Sequence, residues 1–281
     1  MNDAENEGPM FVIVPYMPKG GVGKTTTAAH LGYALSEYGK TLIIDSDPQG
    51  NCTNHLINED AFAEYDKTLL DCLNQSLSLK EAVIEARRPD STFKGLYLLG
   101  TPNKNLDLQD FIQYKFPNKP IILKNLLNSA SVMGFSYVIF DPPASFSNYT
   151  RNIISLASHV IPIIEVETFG FDGLFSLIQE LQEIKEGFGC DFDNTMAVVN
   201  KYDSKSSTHR HFLSRLEKSP FNPLYIINHI KSIPYACAKN QLLQEHRSDL
   251  QPNAVFSEMA AHFHFLKTQT DSQGESHAEQ T

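Results

Sequence analysis

The sequence predicts a doubly wound α/β domain, a mostly parallel sheet with helices on both faces. Three observations carry this. Short apolar runs at Phe11–Val14, Thr41–Ile44 and Tyr137–Phe140 are long enough for buried strands and too short for helices. Each run ends in a loop whose residues are glycines or carboxylates, the kind of chemistry that gathers at the carboxyl end of parallel strands. Helix-like periodicity separates one run from the next, as crossover connections between parallel strands require.

A chain of 281 residues with 41% apolar composition can bury one large core. A single domain is expected over residues 11–267, between a flexible N-terminal stretch, residues 1–10, and a disordered polar tail, residues 268–281. No apolar run approaches the roughly 18 residues needed to cross a bilayer, and the first ten residues are polar and acidic, so neither a membrane span nor a signal peptide is expected. Cys52, Cys72, Cys190 and Cys237 stand singly, without a C-x-x-C pair. That argues against a disulfide framework, a structural zinc or an iron-sulfur cluster, and suits reduced thiols in the cytoplasm.

The first strand leads into Pro18-Lys19-Gly20-Gly21-Val22-Gly23-Lys24-Thr25-Thr26. Glycines there let backbone N–H groups converge on phosphate oxygens, and the following helix adds its positive end. Lys24 neutralises the phosphates, and the Thr25 hydroxyl is placed to complete a Mg²⁺ shell. The strict pattern G-x-x-x-x-G-K-[ST] fails, because Pro18 stands five residues before Gly23. A second lysine, Lys19, opens the loop instead. One phosphate loop has no need of two ammonium groups from one short segment, so Lys19 is expected to serve another target.

The first helix carries Ala28, Leu31, Leu35 and Tyr38 at helical spacing and ends near Gly39. The second strand ends in Asp45-Ser46-Asp47-Pro48-Gln49-Gly50-Asn51, which reads as a turn or as a pair of site carboxylates. Cys52 to Arg88 reads as helical, with Ser78-Leu79-Lys80-Glu81 as a capping box. Gly95–Gly100 reads as a short strand, Ile121–Ser129 as a helix, and Tyr137–Phe140 as a strand delivering Asp141. His159–Glu167 is a further strand, followed from Thr168 by a long helix, and Met196–Asn200 another strand. In the last helix, Val255, Phe256, Met259, Phe263 and Leu266 share one face. Only Lys267 is basic beyond Arg247, so that face suits the core and not a membrane.

Net charge is −10, yet five basic residues (Lys201, Lys205, Arg210, Arg215 and Lys218) stand against two acids, Asp203 and Glu217, in one stretch that also holds His209 and His211. It reads equally as a solvated helix face or as a polyanion contact.

The form K-G-G-V-G-K-T-T resembles the deviant Walker A loop of the ParA/MinD ATPase family, and D-x-D-P-Q-G-N and D-P-P resemble its second and third motifs. The resemblance spans roughly Phe11 to Leu266. It implies a P-loop nucleoside triphosphatase fold that binds ATP/ADP and Mg²⁺ through Lys19, Gly20, Gly21, Val22, Gly23, Lys24, Thr25 and Thr26. It implies a homodimer sandwiching ATP, with Lys19 reaching the partner's phosphates. By the same resemblance Asp45 and Asp141 join Thr25 at the metal, Asp47 orients the attacking water, and Asn200 and Pro234 flank the adenine. The other reading of Asn200 is a turn former after a strand.

The resemblance implies an ATP-dependent dimerising switch for chromosome or plasmid segregation, associated with the nucleoid. It would bind DNA non-specifically, here through Lys201, Lys205, Arg210 and Arg215, and be reset by a ParB-like activator. Positioning another cargo is the sibling expectation, and a metabolic enzyme of this fold the distant one. Departures are Met17 in place of an asparagine, Val166 in place of a proline, Ala144-Ser145-Phe146-Ser147 in place of S-x-G, and Tyr235 where I-P-R-N has arginine.

Overall fold

In the computed structural model, residues 9–57, 67–88, 91–116, 121–166 and 171–278 are described. An eight-stranded sheet runs in the order β3-β4-β2-β5-β1-β6-β7-β8. Its centre is β1 (Phe11–Tyr16), flanked in parallel by β5 (Tyr137–Asp141) and β6 (His159–Glu165), with β2 (Thr41–Asp45) beyond β5. Every residue of β1, β2 and β5 is buried, which requires cover on both faces and accounts for their unbroken apolar sequences. β7 (Ala197–Tyr202) and β8 (Leu224–Asn228) extend the parallel run past β6.

Among the crossover helices, α1 (Lys24–Leu35) packs over β1, β2 and β5. Short helices α2 (Asn51–Leu56), α3 (Leu69–Leu73) and α4 (Leu79–Ala82) follow β2, and the Ser78–Glu81 capping box forms as expected, closing the start of α4. Next come α5 (Leu106–Asp110), a π-helical turn Phe111–Lys115, α6 (Ile121–Val132), α7 (Asn148–Ser155) and α8 (Phe171–Phe188). The chain finishes with α9 (Ser207–Leu216), α10 (Ser232–Ala238), α11 (Leu243–His246) and α12 (Gln251–Ala278). The apolar stripe of α12 is core, as its spacing predicts: Val255, Phe256, Met259 and Phe263 are buried, and α12 packs on α1 and β8.

Two expectations fail. Ile84–Arg88 is a strand, β3, antiparallel to β4 (Ser91–Leu99), and not the end of a helical region. The helix started by the capping box stops at Ala82, and the alternation of Ile84 and Ala86 then suits an edge strand. β4 itself begins before Gly95, which sits within it at a φ of 79°. Residues 268–278, expected as a disordered tail, continue α12. The first part of that extension is held locally by Lys267 against Asp271 at i,i+4 and by the Thr270 and Ser272 hydroxyls donating to carbonyls one turn back. The flexible stretch expected at residues 1–10 lies outside the described residues through residue 8, as does the Glu167–Gly170 segment.

Among the described residues no helix is long and apolar enough to cross a membrane.

Candidate functional site

The loop from Met17 to Gly23 joins the carboxyl end of β1 to α1, at the point where neighbours β5 and β6 diverge around β1. Gly23, the residue before α1, has a φ of 106°, and a Cβ there would collide with Asn200 Nδ2. No side chain caps α1 and no acid lies in its first turn, so its leading N–H groups stay open to an anion. A cavity of about 510 Å³ sits over that helix end, lined by Gly20, Gly21, Gly23, Lys24, Thr25 and Thr26, and by Asp47 from the β2 loop.

Lys24 is only 6% exposed, and its ammonium donates to the Lys19 carbonyl at 2.7 Å. Burial lowers its pKa, with Asp141 and Asp47 pulling the other way. Lys19 does not line the cavity of its own loop.

Asp45 and Asp141 stand directly opposite each other in the β2–β5 register, both buried. Asp45 Oδ2 accepts from the Thr53 backbone N–H and hydroxyl, each at 2.7 Å, while Oδ1 has no partner. Neither carboxylate oxygen of Asp141 has one. Burial pushes both carboxyls up; at Asp45 the Thr53 hydrogen bonds oppose the rise and the Asp47 charge adds to it, while at Asp141 the Asp45 charge adds to it and the Thr25 hydroxyl and Lys24 ammonium oppose it. Two buried carboxylates with oxygens left over for a ligand, beside a hydroxyl and a phosphate seat, form a hard oxygen-donor set short of positive charge, which fits Mg²⁺. Among the described residues no three His, Cys, Asp or Glu side chains form a metal cage, so such an ion would take its other ligands from phosphate and water.

Asp47 lies outside this pair. Its Oδ1 accepts the Gln49 N–H at 3.0 Å, and it lines both the phosphate cavity and a second cavity of about 590 Å³ walled by Ile112, Pro143 and Ala144. It therefore faces the space over the glycine loop, while its charge still reaches Asp45 and Asp141.

A slot of about 250 Å³ continues from the phosphate cavity, sharing Gly21, Gly23, Thr26 and Cys237 with it, and is lined by Asn200 and Pro234. The Asn200 amide is partly committed: Nδ2 donates to the Val22 carbonyl at 2.7 Å and Oδ1 accepts from the Lys201 N–H at 2.9 Å. One N–H and one lone pair remain for a base edge.

The basic stretch divides. Lys201 turns toward the loop, donating to the Gly21 carbonyl at 2.8 Å and pairing with Glu165 at 2.7 Å, with its side chain 40% exposed. Lys205, Arg210 and Arg215 lie at or on α9, where Arg210 donates to the Ser204 carbonyl at 2.6 Å. His209 is buried beneath that helix, its Nδ1 accepting the Asp203 N–H, and so adds nothing to the surface. Sequence reasoning missed Thr53 and Thr101, which hold the β2 end: Thr101 donates its hydroxyl to the Asp45 carbonyl at 2.6 Å and its N–H to Thr53 Oγ1 at 2.9 Å. Thr53 in the first turn after the D-P-Q-G-N string was the available signal; Thr101 had none.

A family model described as an AAA domain matches residues 10–194. The chain is 29% identical over 210 residues to the chromosome partitioning protein ParA of Caulobacter vibrioides, covering 71% of this chain and 72% of that protein. It is 30% identical over 190 residues to the chromosome-partitioning ATPase Soj of Thermus thermophilus, covering 67% and 68%. Its fold is similar to that of an ATP complex of a McdA variant from Cyanothece, with a TM-score of 0.74 at 22% identity over 90% of this chain and 96% of that one. An uncapped glycine loop with two lysines, facing paired strand-end carboxylates on a sheet of this order, agrees with those likenesses, and the chain belongs to the ParA/MinD family of P-loop ATPases.

Proposed function

We propose that the chain is a nucleotide-gated switch in which ATP with Mg²⁺ closes two copies into a dimer. The dimer binds duplex DNA without sequence preference, and a ParB-like partner that stimulates hydrolysis resets it, in the service of chromosome or plasmid segregation on the nucleoid. The observation that carries this reading is Lys19: a second loop lysine that does not line its own phosphate cavity and whose carbonyl is held by Lys24. In this reading Lys19 serves a second copy's phosphates. The similarity to partitioning proteins supports the cargo.

Bound Mg²⁺ would neutralise charge on the β- and γ-phosphate oxygens, held by Thr25, Asp141 and Asp45. Lys24 and the α1 N–H groups hold the phosphates in the ground state. Asp47, over the phosphate cavity, accepts a hydrogen bond from the attacking water and orients it. Lys19 of the second copy adds a cation where transition-state charge develops, an effect worth about 10³ to 10⁵ in rate for comparable arginine fingers.

Light scattering with and without ATP tests the reading. Wild type should double its mass with ATP; Lys19→Ala should bind ATP yet stay monomeric and lose hydrolysis. Normal turnover in that variant would remove the reason for assigning Lys19 to a partner.

A second reading, positioning of a cargo other than DNA, is favoured by Tyr235. Where the family carries a DNA-linked arginine this chain has a half-exposed tyrosine, with Lys239 over its ring at 4.6 Å.

A further inference from the structure

Lys201 adopts a φ of 54°, the left-handed region that a residue with a Cβ avoids. Such a conformation persists where its surroundings over-determine it, and it collects at functional sites. Here the determinants all lead to the phosphate loop. The Lys201 ammonium donates to the Gly21 carbonyl and pairs with Glu165 at the end of β6. Its backbone N–H fixes the Asn200 amide, which in turn donates to the Val22 carbonyl. Consecutive carbonyls of the loop are thus held by consecutive residues of β7. Within the loop Lys24 holds the Lys19 carbonyl and the Lys19 N–H donates to the Met17 carbonyl, while Gly21 and Gly23 both sit at positive φ, 76° and 106°, where glycine is conformationally broad.

Lys201 also lines the 250 Å³ slot that continues from the phosphate cavity, alongside Asn200, Ile233 and Pro234. Its stem can pack on a flat heteroaromatic base, and its ammonium lies beside the same slot. One side chain therefore touches the space for the base and the backbone that cradles the phosphates.

We propose that Lys201 is a specificity-determining brace, coupling occupancy of the base slot to the shape of the phosphate loop, so that a nucleoside triphosphate is bound in preference to a bare polyphosphate. The inference rests on the nucleotide-site reading above and assigns Lys201 to that site instead of to DNA. Because the brace acts alike on substrate and transition state, its loss falls on KM and leaves kcat at saturation.

Calorimetric titration of the full chain with ATP and with inorganic tripolyphosphate, which has the phosphates and no base, tests the proposal. Lys201→Gly is the informative variant, because glycine accepts the left-handed backbone and removes only the brace. Its thermal midpoint should hold, its preference for ATP over tripolyphosphate should shrink about tenfold, as expected for losing a charged hydrogen bond, and its KM for ATP should rise while kcat is kept. Lys201→Met, read in the same way, decides the matter if the glycine variant loses its fold. Glu165→Gln should shift the preference in the same direction by less. An unchanged preference in the Lys201 variants overturns the brace, as does loss of DNA binding with that preference intact. If wild type binds neither probe, the nucleotide-site reading itself falls, an outcome distinct from failure of the brace alone.

Discussion

His30 ties the first turn of α1 to the C-terminal helices and carries a pH dependence whose size follows from its contacts. It is 5% exposed. Its Nε2 accepts the Leu243 N–H at 2.9 Å, so the ring proton is on Nδ1, which donates to the Thr26 carbonyl at 2.7 Å. The ring stacks on Phe256 at 5.1 Å. A second proton would sit on Nε2 facing another N–H, inside the buried site. Burial pushes the pKa down from 6.5 to about 4, opposed by the Thr26 carbonyl and assisted by His55. The unfolded chain takes up this proton near its ordinary value and the folded chain only near 4, so stability is intact above that ordinary value and is lost as pH falls through the window. At about 1.4 kcal/mol per unit the full loss is about 3 kcal/mol, of which about 2 kcal/mol has gone near pH 5.

The perturbation is His30→Gln, whose amide offers a donor and an acceptor and does not titrate. Urea unfolding followed by circular dichroism near pH 7.5 and near pH 5, in the absence of nucleotide, gives the stability lost by each protein. Subtracting the variant's loss from that of wild type cancels the carboxylates and the other histidines, including His159, whose pKa burial also lowers. Wild type should lose about 2 kcal/mol more than the variant. Equal losses would refute the claim that the fold holds His30 neutral.

Asp47→Ala should retain ATP and accumulate as a dimer, with phosphate release slowed about 10²- to 10⁴-fold, since the phosphate seat is kept and water orientation is lost. A variant that stays monomeric with ATP, or turns over normally, would return the water-orienting role to another residue. Changing Arg210 and Arg215 on α9 together to Glu should abolish DNA retention while leaving ATP-driven dimerisation unchanged. In wild type each phosphate neutralised should contribute a slope of about −0.9 in log affinity against log salt. Wild-type DNA binding by the double variant would place the surface elsewhere.

The phosphate loop and the two aspartates at strand ends were legible because their evidence is contiguous: an apolar run, then the site residues at its carboxyl end. The same locality explains the Ser78–Glu81 cap and the buried stripe of α12. It also explains the errors. At Ile84–Ala86 a helical continuation and an alternating edge strand use the same few apolar residues, and only the partner β4 decides between them. Residues past Lys267 are polar enough to read as disordered, yet they extend a helix already nucleated by packing.

The sequence by itself pointed, through its apolar runs, to a parallel α/β core and, through the motif residues Lys19–Thr26, Asp45 and Asp141, to a glycine loop with carboxylates near it. What the chain order alone left open is which distant residues meet that loop. Lys201 lies 180 residues from Gly21, and within its basic stretch it is indistinguishable from its surface neighbours. The order β5-β1-β6-β7 brings the end of β7 beside the loop and turns that lysine inward to Gly21 and Glu165. Charge is a property of the residue, whereas the partner of a charge is set by strand neighbours distant in sequence, so the fold alone could make that assignment.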